Sequence, residues 1–136
     1  MRKFLIAAHG SFSSGIKSSL DIIIGKMENV FIIDAYVDGN ESIEDELNTI
    51  LANVQAGDEL IVFSDLMGGS ITNQIVRYAL KENVHVVTGM NLPLLIDIIL
   101  ADADTPVADV IENAISIARE QVVYVNKIIN KENDHD

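Results

Sequence analysis

The sequence predicts a single-domain α/β fold with a mainly parallel sheet, and three observations carry that prediction. Short runs rich in Ile, Val, Leu and Phe alternate with longer segments whose apolar residues recur at helical spacing. Two of the runs stop abruptly at polar, glycine-containing loops, as strands do where they feed a helix. A length of 136 residues suits one core, which at that size buries roughly two-thirds of the unfolded chain's surface.

Each element follows from its own pattern. Phe4-Leu5-Ile6-Ala7-Ala8 is the first strand and ends at His9-Gly10-Ser11. Ile16, Leu20, Ile23, Ile24 and Met27 then form one helical stripe in a segment starting near Ser13 or Ser14. Val30 to Val37 is the second strand, Asp38-Gly39-Asn40 a turn, and Ser42-Ile43-Glu44-Asp45 a capping box. The helix it opens carries Ile43, Leu47, Ile50, Leu51 and Val54, and Gly57-Asp58 closes it before the third strand, Glu59 to Ser64. Ser70 to Lys81 is a third helix with Ile71, Ile75, Ala79 and Leu80 on its apolar side, and Val84 to Thr88 a fourth strand. Gly89-Met90-Asn91-Leu92-Pro93 turns the chain, proline suiting a first helical turn. Leu94 to Ala101 is apolar almost all round, which predicts a short helix buried against more than the sheet, an interface being one option. After the break at 102–106, Val107, Ile111, Ala114, Ile115 and Ala118 mark a last helix. Gln121 to Ile129, rich in Val, Ile and Tyr, reads as a fifth strand, and residues 130–136 as a disordered polar tail.

Strands separated by helices of this length imply right-handed crossovers and a parallel sheet covered on both faces, a doubly wound, flavodoxin-like arrangement with strand order 2-1-3-4. Ligands of such sheets sit beyond the carboxyl ends of the strands, where successive connections diverge. His9 and Asp65 end the first and third strands, neighbours in that order.

Composition narrows the function. The absence of cysteine excludes disulfides, thiolate metal sites and cysteine catalysis, and agrees with a cytoplasmic setting. Twenty-one acidic against nine basic residues, net −12, oppose a nucleic-acid surface; the charge is more simply that of an ordinary acidic soluble protein than a device to attract a basic protein partner. The apolar stretch Leu92 to Ala101 is interrupted by Pro93 and Asp97 and is half a membrane span, and the apolar start ends too soon for a secretory signal. His9, His85 and His135 share no metal-ligand spacing, so no metal is expected. The first loop lacks a Gly-x-Gly-x-x-Gly spacing, which leaves Asp34 as a turn residue and not a ribose ligand, and no lysine follows Gly68-Gly69-Ser70 as a nucleotide P-loop requires. Nothing in the pattern demands a cofactor.

A histidine at a strand end is commonly structural, but His9 has a carboxylate candidate beside it. To accept a phosphoryl group, imidazole needs one ring nitrogen neutral and the other protonated and held. Asp65 is suited to accept the Nδ1 proton, fix the tautomer and offset charge growing on the ring. The anionic group transferred also needs donors. Gly68, Gly69 and Ser70, taken alone an ordinary glycine-rich turn with a serine cap, open the third helix, where unpaired N–H groups are able to receive phosphate oxygens, and Gly10 and Ser11 flank the site from the other loop.

His9-Gly10, Asp65-x-x-Gly68-Gly69-Ser70 and Gly89-x-Asn91-x-Pro93, in this order and at these strand ends, resemble the EIIA component of the mannose family of bacterial sugar phosphotransferase systems (PTS). The resemblance spans the chain to about residue 129. It implies four parallel strands plus a fifth, antiparallel strand exchanged across a homodimer. It also implies that His9 is phosphorylated on Nε2 by the phosphocarrier protein HPr and passes the group to a histidine of EIIB, with Asp65 supporting it. The membrane enters only indirectly, through the EIIC/EIID permease. Met67 stands where an aromatic residue is frequent in the family. The chain stops where some members continue through a linker into EIIB, so EIIB is expected as a separate protein unless the sequence was trimmed. Two other readings compete: the phosphotransfer subunit of the dihydroxyacetone kinase system, against which the Gly10 and Gly68-Gly69-Ser70 pattern weighs, and a regulatory module that senses phosphorylation without passing it on.

Overall fold

A computed structural model describes residues 1–37, 42–78 and 81–133. The elements are β1 (Arg2–His9), α1 (Phe12–Ile24), β2 (Val30–Ala35), α2 (Glu44–Ala52), β3 (Glu59–Ser64), α3 (Ser70–Val76), β4 (Val84–Val87), α4 (Leu92–Ile99), α5 (Val107–Glu120) and α6 (Val125–Asn133). The strands form one parallel sheet in the order β2-β1-β3-β4, as the alternating pattern requires. Phe4, Ile6 and Ala8 of β1 face a core built with α1, α4 and α5, while Leu5 and Ala7 face a second core built with α2 and α3. Burial on both faces is why β1 reads as an unbroken apolar run and not as an alternation.

The boundaries moved where tertiary contacts overrode local pattern. Helix α1 stops at Ile24 because Gly25 turns at φ 85°, which leaves Ile23 exposed and places Met27 beyond the helix, packed on the core as loop. Strand β2 ends at Ala35 and not at Val37, since Tyr36 takes φ 64° and turns the chain out of the sheet. The box at Ser42 is modified: Ile43 is the N-cap of α2, Ser42 Oγ accepts from Glu44 N at 3.3 Å, and Gln74 Oε1 of α3 accepts from Ile43 N at 3.0 Å. Helix α3 ends at Val76, short of Lys81, and β4 ends at Val87. The turn 38–40 and residues Ala79 and Leu80 lie outside the described residues.

Helix α4 begins at Leu92, two residues early, with Pro93 in its first turn and Asn91 Oδ1 accepting from Leu94 N at 2.9 Å. Leu94, Leu95, Ile98 and Ile99 share one core with the sheet, α1 and α5, while Leu100 at its end stays exposed. The expected fifth strand is a correction: Val125–Asn133 is helix α6, and the sheet has four strands among the described residues. A strand requires a neighbour's backbone groups, whereas a helix pairs its own. Gln121 to Ile129 is not paired into the sheet, and it pairs locally, as Lys127 N to Tyr124 O at 3.1 Å illustrates. Val125, Ile128 and Ile129 also fall at helical spacing, and all are exposed. The expected tail is helical as far as Asn133, with 134–136 outside the described residues.

Candidate active site

The carboxyl edge of the sheet brings the ends of β1 and β3 together. Parallel register sets Ala7 beside Ser64, so His9 and Asp65 leave adjacent strands at nearly the same height. Gly10 turns the chain at φ 59° and donates its N–H to Ala35 O at 2.8 Å, allowing α1 to start at Phe12.

His9 Nδ1 lies 2.8 Å from Asp65 Oδ2, and His9 N–H donates to the same oxygen at 3.0 Å. Leu66 N–H donates to Asp65 Oδ1 at 3.0 Å. Burial pushes the Asp65 carboxyl up, but the N–H of His9, its ring, and Asp65's own backbone N–H together outweigh it and hold the group below its ordinary value of 3.8. An ionised carboxylate only accepts, so Nδ1 must carry a proton, and in the neutral ring that tautomer leaves the lone pair on Nε2. The His9 side chain is 39% exposed against 11% for Asp65: the nucleophile is reachable and its support is covered.

The β3–α3 loop closes around the ring. Gly68 turns it at φ 76°, and Gly69 caps α3 in extended conformation. A methyl group on Gly69 would stand 3.6 Å from His9 Cε1, the atom between the two ring nitrogens, so this backbone lies against the ring edge. Thr72 pins the loop. Its hydroxyl donates to Leu66 O at 2.5 Å, so Ser64 Oγ–H must be the donor in the buried 2.9 Å contact between them. Ser70, in the first turn of α3, is exposed.

The other candidates divide. Ser11 is exposed and its side chain makes no cap bond, leaving it beside the site on the β1–α1 loop. Asp34 lies within β2, not in a turn, and accepts from Ser14 N at 3.0 Å and from Ser14 Oγ, so it caps α1. His85 Nε2 lies 2.6 Å from Glu59 Oε2, toward the amino end of β3, apart from His9. His135 lies outside the described residues. Among the described residues no group of three or more His, Cys, Asp or Glu is placed to hold a metal ion. Tyr36 is the residue that pattern reasoning missed. Its ring stacks on His9 with centroids 5.5 Å apart at 18°, and its hydroxyl shares a hydrogen bond with Ser70 Oγ. The available signal was the aromatic one position beyond Ala35, the register partner of His9. Exposed Val37, Leu66 and Met67 stand on the loops around the site, and exposed Phe12 opens α1 beside them.

Residues 3–115 match the family model EIIA-man, PTS system fructose IIA component. The chain belongs to this family. The mannose-specific EIIAB component of Escherichia coli is 30% identical over 87% of the chain, which spans only 38% of that relative's length. A crystal structure from Klebsiella pneumoniae, of a candidate phosphoenolpyruvate-dependent sugar phosphotransferase system permease, superposes with a TM-score of 0.87 at 34% identity, covering 94% of this chain and 93% of that one. The phosphotransferase system component EIIA of Streptococcus agalactiae gives a TM-score of 0.81 at 29% identity, covering 93% and 99%. Among the described residues no helix of this EIIA-family chain is long and apolar enough to cross a membrane.

Proposed function

We propose that the chain is a cytoplasmic phosphohistidine carrier of the mannose branch of the PTS, accepting a phosphoryl group from HPr on His9 and passing it to EIIB for sugar uptake. The observation that carries this reading is the 2.8 Å contact between His9 Nδ1 and an ionised Asp65 at the exposed edge of the sheet. The Nε2 lone pair forms the N–P bond while the bond from phosphorus to the donor atom of HPr breaks, its electron pair staying with HPr. The ring gains positive charge, which Asp65 offsets, and the proton stays on Nδ1. Transfer to EIIB reverses the step, the acceptor histidine forming the new bond and His9 keeping its electron pair. Gly68, Gly69 and Ser70 receive the phosphoryl oxygens, with Gly10 and Ser11 on the facing loop. Phe12 at the start of α1 and Leu66 and Met67 on the β3–α3 loop, all exposed, suit docking of a protein rather than a small molecule.

We further infer a homodimer. Val122, Val123, Tyr124, Val125, Ile128 and Ile129 are all exposed, and a second copy covering them removes that apolar surface from water. The membrane is met only through an EIIC/EIID permease. The test of the carrier reading is incubation with phosphoenolpyruvate, Enzyme I and HPr: one acid-labile, alkali-stable phosphohistidine is expected, and none on His9→Ala. Labelling that persists on that variant sinks the assignment. Neighbouring genes for EIIB, EIIC and EIID support transport, whereas dihydroxyacetone kinase genes favour the related kinase system.

A further inference from the structure

We infer that Tyr36 is a positioning residue for His9, clamping the imidazole by its face as Asp65 holds it by its edge, and that this clamp stabilises the phosphorylated, cationic ring against hydrolysis. The inference rests on the proposed phosphoryl acceptance at His9 and adds a residue to that site.

A hydrogen bond at Nδ1 leaves the imidazole free to rock about the Nδ1···Oδ2 line, which swings Nε2 out of line with an incoming phosphorus. The Tyr36 ring opposes that motion, lying nearly parallel at 18° with its centroid 5.5 Å away. Tyr36 is itself anchored through its hydroxyl to Ser70 Oγ, so the face of the ring and the first turn of α3 are braced together. Its backbone supplies a second, independent observation. Tyr36 is the one non-glycine residue at positive φ among those described, at 64°, a conformation that bulky side chains rarely adopt. An extended residue there would continue β2 and carry the ring away from the turn, so the strained conformation is what aims it at His9. The electronics agree: once Nε2 is phosphorylated and Nδ1 keeps its proton, the imidazole is cationic, and an aromatic face beside it is favourable. Hydrolysis of that species needs water to form a P–O bond as the P–Nε2 bond breaks, the electron pair returning to the ring and a water proton passing to solvent. The aromatic face favours the cationic ring over the neutral imidazole that leaves, so the stack lowers the ground state and slows hydrolysis.

The test compares Tyr36→Phe, which keeps the stack, with Tyr36→Leu and Tyr36→Asn, which lose it; asparagine tolerates the left-handed backbone and guards against a folding failure. Two readouts need no protein partner: exchange of the His9 Nδ1 proton with water by NMR, and the lifetime of the phosphohistidine made with phosphoramidate. Relative to wild type, Leu and Asn should speed proton exchange and shorten the lifetime by roughly 2- to 10-fold, the rate equivalent of one aromatic pair. Phe should stay within about threefold of wild type. With HPr as donor, the loss should fall on kcat, with KM little changed. The clamp is overturned if Leu and Asn match wild type in exchange and lifetime, or if only the KM for HPr moves, which marks Tyr36 as a docking residue. If wild type accepts nothing from HPr the carrier reading fails, and the proton-exchange comparison still decides the clamp.

Discussion

Replacing Asp65 by asparagine keeps the side chain's size and removes its ability to accept from every side. In the wild type three donors converge on it: His9 N–H and Nδ1–H on Oδ2 and Leu66 N–H on Oδ1. An amide has one accepting and one donating end. If its oxygen faces His9, its NH2 opposes Leu66 N–H. If its NH2 faces His9, Nδ1 becomes the acceptor and the proton moves to Nε2, leaving no nucleophile. Neither state supplies a full negative charge to the growing imidazolium. Phosphoryl acceptance should therefore slow by roughly 10²- to 10⁴-fold, about 3–5 kcal/mol of barrier, the range known when an orienting aspartate is lost. The assay is rapid-quench labelling from phospho-HPr, with circular dichroism checking the fold. The same variant changes the acid limb of stability. The folded pKa of Asp65 lies below its ordinary value, so its contribution is present above the unfolded pKa of about 3.9 and disappears as pH falls through the folded one. Wild type should accordingly lose more stability than Asp65→Asn on acidification below about pH 4. Unchanged transfer rates in both directions, with the Nδ1 proton still in place by NMR, would refute the reasoning.

Gly68→Ala should cost about 1 kcal/mol by chemical denaturation, because φ 76° disfavours a side chain although space for one exists. Gly69→Ala should fold within about 0.5 kcal/mol of wild type, since its contacts of 3.5 and 3.6 Å are ordinary; yet its methyl beside His9 Cε1 should slow labelling, and unimpaired labelling would place the phosphoryl group elsewhere. The intact chain should sediment near 30 kDa, about twice its 14.9 kDa, and truncation after Gln121 should abolish that dimer; a soluble monomer at micromolar concentration contradicts it. Asp58 is held at about 2 by the backbone N–H of Gln55, by Lys3 and by the amino terminus. The melting temperature of wild type should therefore exceed that of Asp58→Asn at neutral pH, and the gap should close on acidification toward pH 2.

Sheet order and the meeting of His9 with Asp65 were legible because both depend on coarse properties, namely fully apolar strands, helical crossovers and the positions at which apolar runs stop. Helix α4 was legible as apolar nearly all round and packed against more than the sheet, and only its partners, α1 and α5, had to come from tertiary structure. What escaped depends on single dihedrals or on neighbours distant in sequence. The Val30–Val37 run gives no sign that Tyr36 leaves the strand at φ 64°, so the ring beside His9 was invisible. Asp34 looked like a turn residue because its role is set by Ser14 on the adjoining helix. The β-branched composition of Gln121 to Ile129 favoured a strand, but the segment is not paired into the sheet and its backbone satisfied itself from Val125 onward as α6.

The measurement that tests the central claim most directly is ¹⁵N and ³¹P NMR of the chain phosphorylated through HPr, with its histidine nitrogens labelled. A single phosphohistidine is predicted at His9, with phosphorus coupled to Nε2, the proton retained on Nδ1, and the signal vanishing when EIIB is added. Phosphorus bound to Nδ1, on another histidine, or on none, would contradict the account.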